Sequence, residues 1–539
     1  MTPLRARAIR ELSDRPFDVI VVGAGINGAV ASACLAARGA RVALVDKADF
    51  ASATSQQSSN LAWGGIKYME TFELGLVRKL CVSRNHLIRS YPSTVEEIRF
   101  FAAHQPGFRH GRLKLFLGTL LYWLLGSFFT RAPRLLSRAT IAAEEPIVDL
   151  AEAKCDGGFE YSDAYFHDND ARFVWGFVRR AIDGGAVAAN YVEVEKTARG
   201  DDGLWTASCV DRLTGAALEV RAKVLVNACG PWVDPVNALA GVSTTHRHVF
   251  SKGIHLIVRR LTPNKRVLTF FADDGRLFFV IPMGPRTVIG TTDTRVESPD
   301  ATVTDEDRAF VLSNINKRLA LPEPLTERDV IAERCGVRPL VVSSNGDGEV
   351  DWLQLSRKHE VEVDPASKHV SVFGGKLTDC LNVGEEIAAE VERLGVALTH
   401  REARWYGEPG ADEAARFREA AAAMDLDAMT PKASSEPLTV RLWRRYGDQA
   451  FRLLEAMRAD RSQAELVIEN AEYLRCELEL AAEREMIEKL EDFLRRRSKI
   501  ALVMRRSEIE SAPGLSEACR LLFGDDADAR LKEYVVAGE

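Results

Sequence analysis

A glycine-rich turn lies between two apolar runs within residues 18–46, DVIVVGAGINGAVASACLAARGARVALVD. The run before the turn is apolar throughout, as in a strand that is buried on both faces of a parallel sheet. The glycines follow as Gly-x-Gly-x-x-Gly, an alanine-rich helical stretch comes next, and the second run ends in Asp46, a carboxylate that can accept hydrogen bonds from ribose hydroxyls. The glycines alone would be weak evidence, but the complete order of elements predicts a βαβ unit that binds a dinucleotide.

The residues of this turn have separate physical roles. Gly23 permits the tight passage from strand to helix, Gly25 lets the backbone approach a pyrophosphate, and Gly28 lets the helix pack against the sheet. The helix begins near Ile26 and Asn27, where free backbone N–H groups can face the anion.

Composition narrows the class of protein. The 539 residues include 71 Lys and Arg against 78 Asp and Glu, for a net charge of −7, which argues against nucleic acid as a partner. The nine cysteines are scattered and show no Cys-x-x-Cys, so a disulfide framework and a metal cluster are not expected. The amino-terminal segment has arginines but no apolar signal region, and we expect a cytoplasmic protein of roughly three or four domains.

Residues 53–68, ATSQQSSNLAWGGIKY, resemble the flavin-contacting segment of the FAD-dependent glycerol-3-phosphate dehydrogenases. More segments match that family in the same order, and the resemblance extends over essentially the whole chain. They are GFEYSDAYFHDNDAR (158–172), LVNACGPWVD (225–234), SKGIHLIV (251–258), VIGTTDT (288–294), CGVRPL (335–340) and SVFGGKLT (371–378).

The resemblance implies FAD as the cofactor and assigns a set of residues to its binding site. These residues are Gly23, Gly25, Ile26, Asn27, Gly28, Asp46, Thr54, Ser55, Ser59, Asn227, Ala228, Gly230, Gly374, Gly375, Lys376, Leu377 and Thr378.

The resemblance also implies an α/β fold, in which a Rossmann-like FAD-binding domain of the glutathione-reductase and D-amino-acid-oxidase type is interleaved with a mainly β substrate domain and followed by a helical domain. The predicted boundaries are 17–74, 156–244 and 351–405 for the FAD-binding domain, 75–155 and 245–350 for the substrate domain, and 410–539 for the C-terminal helical domain.

Five residues are candidates for substrate binding and catalysis. The resemblance places Arg338 and Lys376 at the substrate beside the flavin, where the arginine fork can hold a phosphate or carboxylate. His255 can act as a base or position the hydroxyl, and Lys67 and Tyr68 can complete an anion-binding edge. Structural alternatives remain open: an arginine paired with a structural carboxylate, a surface lysine and a core histidine.

The chain departs from the family at the substrate site. Trp63 stands where the family has an active-site histidine, and an indole cannot serve as a base. Lys67 stands where relatives usually have arginine, residues 379–381 replace Thr-Tyr-Arg, and Cys229 replaces threonine. The changes at Trp63 and Lys67 fall on the substrate side while the FAD side is retained, which indicates an altered substrate.

One segment of the sequence is a candidate for contact with a membrane. The uncharged run 115–129 is flanked by seven arginines and lysines, with no acidic residue between Glu97 and Glu144. It is too short to span a bilayer, which takes about 20 residues. Residues 113–129 therefore predict either a buried helix of the substrate domain or an apolar stripe that lies on anionic lipid. The resemblance favours the second, because the family is peripherally bound to the cytoplasmic face of the inner membrane and reduces quinone.

We therefore expect an enzyme that oxidises sn-glycerol 3-phosphate to dihydroxyacetone phosphate, transfers a hydride to FAD and passes the electrons to membrane quinone. The first alternative is a paralogous FAD oxidoreductase that acts on a different anionic alcohol, hydroxy acid or amine. The second is a flavoprotein without enzymatic activity. The resemblance also implies a homodimer.

Overall fold

The structure is a computed structural model that describes residues 2–105, 108, 110–150, 155–344, 358–432 and 434–537. The strands are β1 (Phe17–Val22), β2 (Val42–Val45), β3 (Leu61–Ala62), β4 (Val95–Ala103), β5 (Arg134–Leu136), β6 (Gly158–Phe166), β7 (Val187–Ala189), β8 (Val192–Arg199), β9 (Trp205–Asp211), β10 (Ala217–Asn227), β11 (His246–Arg259), β12 (Arg266–Phe271), β13 (Leu277–Met283), β14 (Arg286–Gly290), β15 (Thr294–Val296), β16 (Ala332–Ser343), β17 (His359–Asp364) and β18 (His369–Gly374). The helices are α1 (Pro3–Leu12), α2 (Ile26–Ala37), α3 (Leu74–Ser90), α4 (Arg112–Leu125), α5 (Arg138–Glu144), α6 (Asp170–Asp183), α7 (Val233–Leu239), α8 (Asp305–Arg318), α9 (Cys380–Arg393), α10 (Ala411–Ala422), α11 (Leu438–Tyr446), α12 (Ala450–Ala459), α13 (Arg475–Arg484), α14 (Ile500–Val503), α15 (Arg506–Glu510), α16 (Leu515–Phe523) and α17 (Ala527–Val536).

The first sheet has the strand order β17-β18-β10-β1-β2-β7, with β9 attached to β10 and β8 attached to β9. Strand β1 pairs in parallel with both β2 and β10, and β18 pairs in parallel with β10. Helix α2 follows the glycine-rich turn and packs against α6 and α9. The sheet confirms the predicted α/β class, and it assembles strands from distant parts of the chain because parallel neighbours need long crossover connections.

The second sheet has the order β15-β11-β14-β13-β12-β4-β6-β3, with β16 attached to β11 and β5 to β6. Strand β6 falls within the range 156–244 predicted for the FAD-binding domain. It nevertheless pairs antiparallel with β4 over its full length, from Val95 opposite Phe166 to Ala103 opposite Gly158. The predicted boundary at residue 156 is therefore wrong for β6, because its hydrogen-bonding partner lies in the substrate domain.

Helices α10–α17 confirm the predicted C-terminal helical domain. Buried ion pairs fasten this domain to the rest of the protein. Arg172 donates to Glu485 at 2.6 Å, and Arg497 donates to Asp49 at 2.8 Å, with all four side chains at most 9% exposed. An isolated buried charge lowers the stability of a protein, so these ion pairs fix the position of the C-terminal helical domain against the preceding part of the chain.

Helix α4 covers most of the apolar segment 113–129, which the sequence predicts to be either a buried helix or an apolar stripe on lipid. It is not a fully buried helix, since Leu113, Leu117, Leu121 and Leu124 are 39% to 63% exposed. Their spacing of three or four residues places them on one face of the helix. Only Thr119 and Tyr122 of α4 are buried. Among the helices of the described residues, none has both the length and the hydropathy that crossing a bilayer requires.

Candidate active site

One cavity of about 1660 Å³ lies between the first sheet and the second. Most of the sequence-predicted site residues line it. From the first 70 residues these are Gly23, Gly25, Ile26, Asn27, Asp46, Thr54, Ser55, Ser59, Lys67 and Tyr68. From later in the chain they are Ala228, Gly230, His255, Arg338, Gly374, Gly375, Lys376, Leu377 and Thr378.

The glycine-rich turn has the geometry that its sequence predicts. Gly23 has φ +94°, a conformation that favours glycine, and a Cβ atom on Gly28 would lie 1.8 Å from the Gly23 carbonyl oxygen. Gly28 does not line the cavity and acts by allowing α2 to approach β1. The Ile26 N–H at the start of α2 donates to the Ser55 hydroxyl at 3.0 Å, which joins two predicted FAD-binding segments.

Polar groups around the turn fit a bound dinucleotide. The Asp46 carboxylate accepts from the backbone N–H groups of Ala24 at 2.7 Å and Ala48 at 2.9 Å, and burial raises its pKa to about 6. Asn27 donates to the Gly374 carbonyl at 2.9 Å, while its own buried side-chain oxygen has no hydrogen-bond partner among the described residues. That oxygen can accept a hydrogen bond from a bound group.

Asn227 has a supporting role. It is fully buried and does not line the cavity. Its amide donates to the Val233 carbonyl and to the Asn237 side chain, each at 2.8 Å, and its oxygen accepts from the Cys229 N–H at 3.3 Å. Asn227 thereby holds the turn that presents Ala228 and Gly230 to the cavity.

Arg338, on β16, points its guanidinium into the cavity. It donates to Asp293 at 3.2 Å and to the Thr291 hydroxyl at 3.1 Å, and its side chain is 21% exposed. A Cβ atom on Gly253 would lie 2.2 Å from the guanidinium, so glycine at this position leaves room for it. Arg338 therefore pairs with a carboxylate, as the structural alternative in the sequence analysis predicts, and it also lines the cavity.

A second cation, Lys376, follows the Gly374–Gly375 turn at the end of β18. Its ammonium donates to the Tyr68 hydroxyl at 2.8 Å. Lys67, next to Tyr68 and exposed, also lines the cavity. Arg338, Lys376 and Lys67 all line the cavity, and their positive charges suit a small anion. We call the part of the lining that these three residues form the cationic end.

His255 on β11 lies in the same cavity. Its Nε2 is 2.8 Å from the Ser59 hydroxyl, and its buried Nδ1 has no hydrogen-bond partner among the described residues. Burial, together with the positive charges of Arg334 and Arg338, lowers the pKa of His255 to about 3. The imidazole is therefore neutral at physiological pH and can accept a proton.

Replacing His255 with glutamine should weaken the pH dependence of stability between pH 4 and 6.5. In this window an unfolded chain protonates the histidine, whose usual pKa is 6.5, whereas the folded protein does not. Stability is therefore complete above pH 6.5 and falls as the pH drops, by about 1.4 kcal/mol for each pH unit. Thermal unfolding at pH 7 and pH 4.5 measures the effect, and equal destabilisation of both proteins on acidification would contradict it.

A buried hydrogen-bond network that was not predicted from the sequence supports the turn that carries Trp63. Asp163 accepts from the Gly64 N–H at 3.0 Å, from Arg84 at 3.1 Å and from the Tyr122 hydroxyl at 2.7 Å. Asp163 and Arg84 are at most 1% exposed. The network joins the turn that carries Trp63 to helices α3 and α4. Asp163 lies within the matched segment 158–172, but the sequence does not show which distant residues it contacts.

Comparisons with known proteins agree with this geometry. A family model described as FAD dependent oxidoreductase matches residues 18–375, and one described as the C-terminal domain of alpha-glycerophosphate oxidase matches residues 409–530. Glycerol-3-phosphate dehydrogenase 2 of Mycobacterium bovis is 31% identical, over 99% of this chain and 90% of that protein. The chain belongs to the FAD-dependent glycerol-3-phosphate dehydrogenase family. It is thus an FAD-dependent oxidoreductase, and the predicted cofactor is confirmed.

Two further members of this family resemble the chain over most of its length. The aerobic glycerol-3-phosphate dehydrogenase of Staphylococcus aureus is 28% identical, over 91% of this chain and 88% of that protein. The structure of the glycerol-3-phosphate dehydrogenase from Bacillus halodurans complexed with FAD has a TM-score of 0.74 and 25% identity, over 99% of this chain and 96% of that chain.

Proposed function

We propose that the protein oxidises sn-glycerol 3-phosphate to dihydroxyacetone phosphate and passes the electrons to a membrane quinone. The observation that carries this proposal is the convergence of Arg338, Lys376, Tyr68 and His255 on the cavity that continues to the glycine-rich turn. Cations at one end suit a phosphate, and a neutral imidazole suits an alcohol that must lose a proton. The names of the relatives point to the same substrate.

The protein contributes binding and orientation to this reaction. FAD, when bound along the glycine-rich turn, supplies the acceptor for the hydride. Arg338 offers a planar fork for two parallel hydrogen bonds to the phosphate, and Asp293 fixes the orientation of that fork. Lys376 and Lys67 add positive charge, and Tyr68 holds the Lys376 ammonium in place.

His255 is suited to take the hydroxyl proton. Ser59 orients its ring. Burial and nearby positive charge keep the imidazole neutral in the absence of substrate, and they also make it a weak base. A phosphate bound at Arg338 would offset part of that positive charge and so raise the proton affinity of His255 when substrate is present. Proton acceptance is thereby linked to substrate binding.

Anaerobic mixing of the FAD-loaded protein with sn-glycerol 3-phosphate tests the proposed function. The flavin absorbance should bleach, and dihydroxyacetone phosphate should form in equal amount. A set of other anionic alcohols, hydroxy acids and amines serves as the comparison. Absence of bleaching with glycerol 3-phosphate would reject the proposal.

Trp63 and Lys67 favour a second candidate, an FAD oxidoreductase for a different anionic alcohol, hydroxy acid or amine. Trp63 lines the cavity and places its indole 6.4 Å from the Phe279 ring, edge to face, so this part of the site is apolar. Bleaching by another compound of the set, without bleaching by glycerol 3-phosphate, would support this candidate.

The exposed face of α4 supports contact with a membrane surface. Besides its four exposed leucines, Phe72 and Phe128 are 84% and 54% exposed. Lys114 lies on α4, and Arg131 follows this helix in the chain. An apolar stripe with basic neighbours suits anionic lipid. A membrane-bound position would bring the cavity near lipid-soluble quinone. The homodimer that the resemblance implies stays a prediction.

Replacing Leu117 and Leu121 together with glutamate should abolish flotation with vesicles of anionic phospholipid. Burial of two leucine side chains contributes about 3–6 kcal/mol, and the new carboxylates repel the lipid headgroups. Since both leucines are exposed, folding should be unaffected. Glutamates at Val440 and Val536, exposed on other helices, form the matched control. Equal flotation of both double variants would contradict the assignment of this face.

A further inference from the structure

The cavity has an apolar compartment beyond its cationic end. One face of the second sheet forms its wall, where alternate residues of β6, β12 and β13 point inward. These are Phe159, Tyr161, Thr269, Phe271, Leu277 and Phe279. The residues between them, such as Phe270 and Phe278, pack in the core beneath α8. Antiparallel sheets often have one polar face, whereas β13 of this sheet is apolar on both faces.

Trp63 lies where the two parts of the cavity meet. Its carbonyl accepts from the Thr378 hydroxyl at 3.3 Å, two residues after Lys376, and its indole packs against Phe279. The head of a small anion at Lys376 and Arg338 therefore lies next to an aromatic surface. The whole cavity of about 1660 Å³ also includes the glycine-rich turn, along which FAD binds.

The apolar compartment also opens toward the exposed face of α4. Leu121, Leu74 and Phe72 line the cavity and are at the same time 39%, 37% and 84% exposed. An apolar path thus leads from the cationic end to the surface. A three-carbon phosphate ester has no apolar substituent to place against this surface.

We propose that the aromatic compartment binds an apolar substituent of the substrate, so that the preferred substrate is a phosphate monoester that also has a free secondary hydroxyl and carries an alkyl or acyl chain. This inference rests on the proposed function and specifies its substrate class. The phosphate binds at Arg338 and Lys376, and the chain extends past Trp63 along Phe279. The carbinol C–H bond breaks to give a hydride to FAD and the O–H proton goes to His255, which leaves a ketone and reduced FAD with the chain unchanged.

Binding of straight-chain alkyl phosphates to the FAD-loaded protein tests the inference without turnover. Ethyl, butyl, hexyl and octyl phosphate have no secondary alcohol, and perturbation of the flavin absorbance reports their binding near the ring. Each added methylene that enters the compartment should tighten binding about threefold, and the octyl ester should bind at least 100-fold more tightly than the ethyl ester.

Gly118→Leu supplies a variant that blocks the compartment. Gly118 lies on α4 and lines the cavity, and a Cβ atom there would meet no other atom within 4 Å. The leucine should also favour the helix, so folding is not at risk. It should weaken octyl phosphate binding at least tenfold and leave ethyl phosphate binding unchanged. Gly176→Leu, at an equally open position on α6 outside the cavity, is the matched control and should change neither.

Affinity that does not depend on chain length would overturn the inference, and so would unchanged octyl phosphate binding in Gly118→Leu. If the compartment binds only the quinone, the affinity for alkyl phosphates should not depend on chain length, and Gly118→Leu should reduce quinone more slowly. The proposed function fails in a different way, by absence of flavin bleaching with glycerol 3-phosphate. The two failures are therefore distinguishable.

Discussion

Replacement of Arg338 with leucine should lower kcat/KM for glycerol 3-phosphate by about 100- to 1,000-fold, or about 3–4 kcal/mol. The variant loses the fork that holds the phosphate, and the Asp293 carboxylate next to the substrate anion loses its ion pair with Arg338. Flavin bleaching under anaerobic conditions, measured over a range of substrate concentrations, gives the change. FAD content should stay at the wild-type level, because the glycine-rich turn lies on the first sheet and β16 on the second.

Two further variants show whether the fork itself is responsible. Arg338→Lys keeps the charge but loses the bidentate geometry, so its loss should be smaller than that of the leucine variant. Arg131→Leu removes an exposed arginine outside the cavity lining and should have wild-type activity. An Arg338→Leu protein with nearly normal kcat/KM would show that the substrate anion binds elsewhere.

Replacement of Asp163 with leucine should lower the free energy of unfolding by about 3–5 kcal/mol, because Arg84 then keeps a buried charge without its carboxylate. The Gly64 N–H and the Tyr122 hydroxyl lose their acceptor in the same step. Urea unfolding followed by tryptophan fluorescence measures the change. The turn that carries Trp63 should also lose its fixed position, which would reduce activity in the folded fraction.

A double variant that also replaces Arg84, the ion-pair partner of Asp163, provides the internal control. The double variant Asp163→Leu, Arg84→Leu has no unpaired buried charge and should recover part of the lost stability. Asp202→Ala breaks an exposed pair with Arg221 and should change stability by less than about 1 kcal/mol. If Asp163→Leu is as mild as Asp202→Ala, the network does not hold the turn.

Local patterns in the sequence predict the part of the site that depends on local backbone geometry. Gly23 and Gly28 fix a turn whose conformation and close packing other residues cannot adopt, so sequence order alone indicates the dinucleotide site. The family resemblance adds Arg338, Lys376 and His255, which lie far apart in the chain and line one cavity in the structure.

The remaining features depend on contacts between distant segments. Nothing in the local sequence shows that Asp163 pairs with Arg84, or that β6 joins β4 in the second sheet. The apolar run of α4 is equally consistent with a buried and an exposed helix until its neighbours are known. The compartment beyond Trp63 likewise requires β6 to lie in the same sheet as the β12–β13 hairpin, which is distant in the chain.

The position of a bound anion relative to FAD tests the central claim most directly. Crystals of the FAD-loaded protein with inorganic phosphate should show the flavin ring facing the cationic end of the cavity, with phosphate in hydrogen-bonding contact with both Arg338 and Lys376. A flavin ring that faces away from these side chains, or phosphate that binds only outside this cavity, would contradict the account.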